Sequence, residues 1–339
     1  MTHGPRRPQA LLVMEPEHFR VQFGPAQLDR LDRLVGLADP VSTAELDSPA
    51  VRRRLREVEV LLTSWGCPPL TTERLAAAPD LRAIFHGAGS VRSFVTDEVW
   101  RRGILVTTAA DENAIPVAEF TVAAIVFAGK KAPFLAQDAR EHRDDWSYLS
   151  RRGELTNRGR TIGVAGFSRV GRRVVDRLRG MDVTVLVYDP YVDPAEVAAA
   201  GGRHVGLPEL LRASDVLSLH VPELGSTHHL IGAAELAMLR DGATVVNTAR
   251  GSVLDTAALE RECATGRLDA ILDVTDPEPL PADSVLYDLP NVMITPHIAG
   301  SLGSETRRMS DSALDELERY LSGHPPRAAV TPDTFGKSA

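Results

Sequence analysis

Side chains suited to binding a carbonyl or carboxylate and to moving a proton stand at the ends of three successive apolar runs. Val245-Val-Asn-Thr-Ala-Arg-Gly-Ser252 carries Arg250, Leu272-Asp-Val-Thr-Asp-Pro-Glu-Pro279 carries Asp273 and Glu278, and Asn291-Val-Met-Ile-Thr-Pro-His-Ile-Ala-Gly300 carries His297. Each run predicts a buried strand, and open α/β sheets bind ligands outside the carboxyl ends of their strands. The planar fork of an arginine gives two parallel charged hydrogen bonds to a carboxylate or a polarised carbonyl. An imidazole exchanges a proton near neutral pH without extreme tuning. A carboxylate at Glu278 beside it favours the imidazolium and fixes the tautomer. Singly, Arg250 reads equally well as an ion-pair partner and His297 as a structural histidine. Together they suit carbonyl reduction or its reverse, with Arg250 orienting the substrate.

A second constellation lies upstream. Thr161 to Gly171 reads as a buried strand, then Gly166-x-Ser168-x-x-Gly171, then a helix from Arg172 to Arg179. Such a turn lets the backbone approach a pyrophosphate, the helix N-terminus supplies oriented N–H groups, and the last glycine permits close helix packing. Ser168 replaces the middle glycine and adds bulk where the backbone normally comes closest. On its own the motif also fits an ordinary strand-turn-helix. A second strand, however, runs from Val183 to Tyr188 and ends in Asp189, eighteen residues beyond Gly171. A carboxylate there accepts hydrogen bonds from ribose hydroxyls and repels a 2′-phosphate, so NAD is favoured over NADP. The alternative for Asp189 is a helix cap.

The elements that must position these groups alternate short β-branched runs with amphipathic stretches, the pattern of parallel sheets covered on both faces. Early strands are expected at Ala10 to Met14, Val58 to Thr63, Leu81 to Phe85 and Ile104 to Thr107. Thr72 to Ala78 and Thr96 to Arg102 read as helices opened by threonine. A long apolar helix from Val117 to Lys131 follows. Further strands are expected at Thr161 to Ala165, Val183 to Tyr188, Val216 to His220, Thr244 to Asn247, Ala270 to Val274 and Val292 to Thr295. Six strands with intervening helices suit a dinucleotide-binding sheet. The proline-containing tail from Pro325 is expected to be loosely ordered.

Composition narrows the function classes. A length of 339 residues at 43% hydrophobic and 25% charged suits two domains with cores and excludes a disordered chain. A formal net charge of -8 supplies no field to displace counterions from nucleic acid or to hold a membrane surface. Cys67 and Cys263 make neither a disulfide framework nor a four-cysteine metal site, which suggests a reduced, intracellular setting and no metal. Val117 to Ala128 is shorter than the ~20 residues of a membrane span. Lys130, Lys131 and Lys337 show no buried-looking setting, which disfavours Schiff-base chemistry.

Taken with their motifs, these segments resemble the D-isomer-specific 2-hydroxyacid dehydrogenase family. The resemblance runs from about Val60 to Leu317 and is carried most specifically by Asn-Thr-Ala-Arg-Gly, Leu-Asp-Val-x-x-Pro-Glu-Pro and Thr-Pro-His-Ile-Ala-Gly. It implies a Rossmann NAD-binding domain over 115–298, inserted into a flavodoxin-like substrate domain made of 1–114 and 299–339. Both are doubly wound parallel-sheet α/β domains, with substrate in the cleft between them. It implies Arg250, Glu278 and His297 as catalytic residues. Arg169 and Val170 would contact the pyrophosphate beside Gly166, Ser168 and Gly171, and Val221, Pro222, Thr248, Ala249 and Gly300 would line the cofactor. Asp273 would receive the nicotinamide carboxamide. Backbone amides at Ala88 and Gly89 would hold the substrate carboxylate. The glycine loop lacks the aspartate that often follows it in the family, and Arg92 or His86 would then touch the substrate, with a solvated surface role for Arg92 as the alternative.

The expected activity is NAD-dependent interconversion of a small 2-keto acid and its D-2-hydroxy acid, in a cytoplasmic homodimer that pairs through the long apolar helix. A formate-type relative is disfavoured by glutamate at 278, and a phosphite-type one by the lack of a lysine in the glycine loop. The competing reading is a catalytically weak NAD(H)-sensing protein similar to the corepressors built on this fold. The lack of a long recruitment tail in this sequence disfavours it, and with only a short stretch after residue 330 a regulatory domain with feedback control is not expected.

Overall fold

The computed structural model describes residues 6–336. The chain forms two compact units, one made of Met1–Asn113 with Ser301–Ala339 and the other of Ala114–Gly300. Lys337 lies outside the described residues.

The first unit holds β1 (Gln9–Val13), β2 (Gly36–Thr43), β3 (Val60–Thr63), β4 (Ala83–His86) and β5 (Leu105–Thr108). Their spatial order is β5-β4-β3-β1-β2, all parallel. That is the flavodoxin-like order, with its reversal between β1 and β3. The strands are apolar throughout because helices cover both faces. Successive residues of β1 alternate between two cores, Leu11 and Val13 on one face and Ala10 and Leu12 on the other. Helix Thr306–Leu321 returns to this unit, burying Met309, Ala313, Leu314 and Leu317.

The second unit holds β6 (Thr161–Ala165), β7 (Thr184–Tyr188), β8 (Arg203–His204), β9 (Val216–Leu219), β10 (Thr244–Asn247), β11 (Asp269–Leu272) and β12 (Val292–Ile294). They form one parallel sheet in the order β12-β11-β10-β9-β6-β7-β8. Read from β8, this is the Rossmann order with one strand added at the far edge, and the order reverses between β6 and β9. Ile162 and Val164 face one core and Ala165 the other.

Three expectations change. The tail from Pro325 is ordered through Gly336: β13 (Ala329–Val330) pairs antiparallel with β5, and Pro332–Phe335 is a short helix. Backbone pairing at a free sheet edge holds a segment that composition alone marks as loose. Lys131 is buried, its Nζ donating to Gly242 O at 2.7 Å, Thr244 Oγ1 at 2.9 Å and Asp269 Oδ2 at 2.5 Å. Burial pushes the Asp269 carboxyl upward, and the Lys131 ammonium opposes that. The apolar helix starts earlier than expected, spanning Ala110–Lys130 with Pro116 inside it. By length and composition it is long enough to cross a membrane, and half of its most apolar window is buried in the core.

Candidate active site

The turn after β6 is shaped by contacts that forbid side chains. Gly166 has φ +100°, and a Cβ there would stand 2.6 Å from the Val221 amide nitrogen. A Cβ on Gly171 would meet Gly166 O at 2.0 Å. The tips of β6 and β9 are therefore pressed together, and His220 N donates to Ala165 O at 2.7 Å. Ser168 becomes the N-cap of helix Arg169–Leu178, its Oγ accepting from Gly171 N at 3.5 Å. The departure from glycine thus has a local use. Among the described residues the Ser168 and Val170 amides make no hydrogen bond. Unpaired N–H groups at the start of a ten-residue helix, beside a turn whose positions 166 and 171 admit only glycine, fit a dinucleotide pyrophosphate.

Asp189 closes β7 beside this turn. Its Oδ2 accepts from Phe167 N at 2.8 Å and its Oδ1 from Tyr191 N at 3.0 Å. The carboxylate therefore fastens the glycine turn, and each oxygen retains a lone pair for a ribose hydroxyl. Val221 and Pro222 follow β9. Thr248, at the tip of β10, is buried and shares a 2.7 Å hydrogen bond with Thr121 Oγ1 of the long helix.

Arg250, Glu278 and His297 fall after three successive strands, β10, β11 and β12. His297 follows β12, and its Nδ1 lies 2.6 Å from Glu278 Oε1. Both side chains are exposed, at 53% and 43%. With Nδ1 engaged, Nε2 is the nitrogen left for a reacting oxygen. Arg250 follows β10, its Nη1 donating to Ala249 O at 2.6 Å.

Asp273, 2% exposed, does more than end β11. Its Oδ1 accepts from Thr295 Oγ1 at 2.6 Å and Ile298 N at 2.8 Å, its Oδ2 from Ala299 N at 2.9 Å, and its carbonyl from His297 N at 3.0 Å. One buried carboxylate therefore shapes the loop that holds His297 in its left-handed conformation, φ 54°. The Arg250 loop is held likewise. Buried Asn247 accepts from Ala249 N at 3.0 Å and donates to Arg250 O at 2.9 Å. A Cβ at Gly251 would collide with Thr275 O at 1.9 Å, so the loops after β10 and β11 meet there. Sequence reasoning missed the holding roles of Asp273, Asn247 and Thr121. The Asn at the end of an apolar run was the one signal for Asn247, and none existed for Thr121.

In the first unit the glycine loop follows β4. Thr108 Oγ1 donates to Ala88 O at 2.9 Å and also to Gly89 O, and Ala109 N donates to Ala88 O at 3.0 Å. The carbonyls are thus tied down, while the Ala88 and Gly89 amides make no hydrogen bond among the described residues. His86 does not reach the surface. It is 2% exposed, with Nδ1 2.8 Å from Thr63 Oγ1, and burial pushes its ring down to about 3. Arg92 donates to Gly336 O.

A Rossmann sheet with a glycine turn and an acidic second-strand terminus is the architecture of a nicotinamide-dinucleotide-binding domain. The chain belongs to the D-isomer-specific 2-hydroxyacid dehydrogenase family, whose NAD-binding-domain model matches residues 122–299. It is 34% identical over 259 residues to a D-3-phosphoglycerate dehydrogenase of Archaeoglobus fulgidus, covering 76% of this chain and 49% of that one. It is 33% identical over 277 residues to a glyoxylate reductase of Korarchaeum cryptofilum, covering 80% and 82%. The chain spans about half the length of the first curated relatives it matches. Among solved structures, the TT0316 protein of Thermus thermophilus superimposes with TM-score 0.76 at 29% identity, covering 95% of this chain and 100% of that one. The D-mandelate dehydrogenase of Rhodotorula graminis shares the fold, with TM-score 0.81 at 22% identity and coverage of 96% and 98%.

Proposed function

We propose that the chain is an NAD-dependent oxidoreductase that interconverts a small 2-keto acid and its D-2-hydroxy acid. The observation that carries this reading is the 2.6 Å His297–Glu278 pair on a loop pinned by buried Asp273. The bound nicotinamide supplies or accepts the hydride. In the reducing direction His297 gives a proton from Nε2 to the oxygen of the carbonyl, and Glu278 stabilises the imidazolium that precedes it. In the oxidising direction the neutral ring takes that proton back. Arg250 orients the carbonyl and carboxylate through its planar fork. The unpaired amides of Ala88 and Gly89 hold the substrate carboxylate.

The same reading gives the cofactor contacts. Gly166, Ser168, Arg169, Val170 and Gly171 surround the pyrophosphate, and Asp189 takes the ribose hydroxyls. Val221, Pro222, Thr248, Ala249 and Gly300 line the cofactor, and Asp273 accepts from the carboxamide while it holds the His297 loop. A cytoplasmic homodimer completes the proposal, supported by unpaired Cys67 and Cys263 and by Phe127, exposed on the long apolar helix.

The test is NADH oxidation, followed by absorbance, against glyoxylate, hydroxypyruvate, pyruvate, phenylpyruvate and branched 2-keto acids, with NADPH in parallel. Turnover of at least one acid with NADH is expected. Silence across the panel, with NADH binding retained, would overturn the proposed activity.

A further inference from the structure

We propose that His228, His229 and Asp276 form a binding site for a divalent transition-metal ion of the zinc or nickel kind, separate from the Arg250, Glu278 and His297 set. The two histidines lie on the turn that follows β9, and Asp276 lies on the loop that follows β11. One ligand atom from each side chain comes within 4.8 Å of the other two. The imidazole rings stack, with centroids 4.0 Å apart and planes inclined by 19°.

The donors are uncommitted. Among the described residues neither imidazole nor the Asp276 carboxylate makes a side-chain hydrogen bond or an ion pair, although the surrounding backbone is closely pinned. His229 N donates to Ser252 O at 2.8 Å, Ile231 N to Val253 O at 3.1 Å and Asp255 N to Ile231 O at 3.0 Å. Thr256 Oγ1 donates to Asp276 O at 2.7 Å, and Gly251 is wedged against Thr275. His229 itself sits in the left-handed region, φ 49°. The backbone positions are fixed while the donor atoms are free, so the side chains can turn onto an ion without breaking an existing hydrogen bond.

Electrostatics favour a cation. His229 and Asp276 line a cavity of about 510 Å³ whose wall also carries Asp255, Glu260 and Asp283. The ligand types select the metal. Two imidazole nitrogens and one carboxylate suit zinc, nickel or copper(II), whereas magnesium and calcium take oxygen ligands. Tetrahedral coordination at about 2.0–2.2 Å draws ligand atoms to roughly 3.3 Å of one another, within reach of rotation about accessible side-chain torsions. Three protein ligands leave a position for water. Because Asp276 precedes Glu278 by two residues, a bound ion would tie the β9 turn to the loop that carries the histidine's partner.

The test is isothermal titration of the EDTA-stripped chain with zinc sulfate, without NADH or keto acid, so that its outcome is independent of the proposed activity. One ion per chain is expected, with micromolar affinity. His228→Ala and Asp276→Asn should each weaken binding about tenfold or more, His297→Ala should leave it unchanged, and magnesium should give no signal. If His228→Ala fails to fold, judged by its thermal midpoint in EDTA, His229→Gln takes its place. The proposal is overturned by no zinc binding, by binding that survives the His228 and Asp276 substitutions, by loss of binding in His297→Ala, or by magnesium binding as tightly as zinc.

Discussion

His86 closes β4 in the first unit and His220 follows β9 in the second. Both rings are buried, both bond one nitrogen to a neighbouring hydroxyl (Thr63 Oγ1 and Ser218 Oγ, each at 2.8 Å), and both leave the other nitrogen unpaired. His297 follows β12 in the same strand-end setting, yet it is exposed and bonded to a carboxylate. Burial penalises the charged form and pushes His86 and His220 down to about 3. They stay neutral and serve as hydrogen-bonding pieces of the core, one beneath the glycine loop and one beneath the dinucleotide turn. Only the third has a countercharge for its imidazolium and a nitrogen open to a reacting oxygen. Residue type and strand position therefore do not decide whether a histidine is a neutral piece of the core or an exposed ring paired with a carboxylate; burial and partners do.

The comparison breaks most directly at His297. His297→Ala should lower kcat about 10²- to 10⁴-fold while leaving NADH affinity nearly unchanged. Steady-state turnover and an NADH fluorescence titration measure the two effects, and undiminished turnover would remove the proton-transfer role.

The buried pair predicts a stability effect of definite sign. Between about pH 6.5 and about 3 the unfolded chain protonates both histidines while the folded chain does not. Their contribution is intact above that window and is lost as the pH falls through it, by about 1.4 kcal/mol per pH unit for each ring. Urea unfolding at pH 7 and pH 5 should show it, and His86→Gln should remove one ring's share of the slope. An unchanged slope would mean that His86 is not held neutral.

A smaller effect sharpens the cofactor side. Asp189→Ala should shift the preference between NAD and NADP about tenfold toward NADP, as one charge-assisted contact is lost and a repulsion removed. Parallel KM measurements with the two cofactors check it. A parent chain that already prefers NADPH would refute the role given to Asp189.

Much of this was legible in the residues. β6 and β10 carry the bounds expected of them because both are short apolar runs closed by glycine or a polar turn. The polar β2 was not, since Asp39, Pro40, Ser42 and Thr43 give an edge strand no apolar alternation. β8 and β13 span two residues each, too short for any periodicity. The long helix was foreshortened at Pro116, where one lost backbone donor is outweighed by burial of the residues on either side.

By itself the sequence determined the two parallel sheets, the dinucleotide turn and the placement of Arg250, Glu278 and His297 after successive strands, because apolar period and glycine placement are local and strand ends follow from them. Tertiary structure alone decided that Asp273 shapes the His297 loop, that Lys131 lies in the core, that the tail pairs with β5, and that two strand-end histidines are buried and neutral while a third is exposed and paired with a carboxylate. Burial and hydrogen-bond partnership depend on atoms far apart along the chain, such as His86 with Thr63 and His297 with Glu278, and no local pattern reports them.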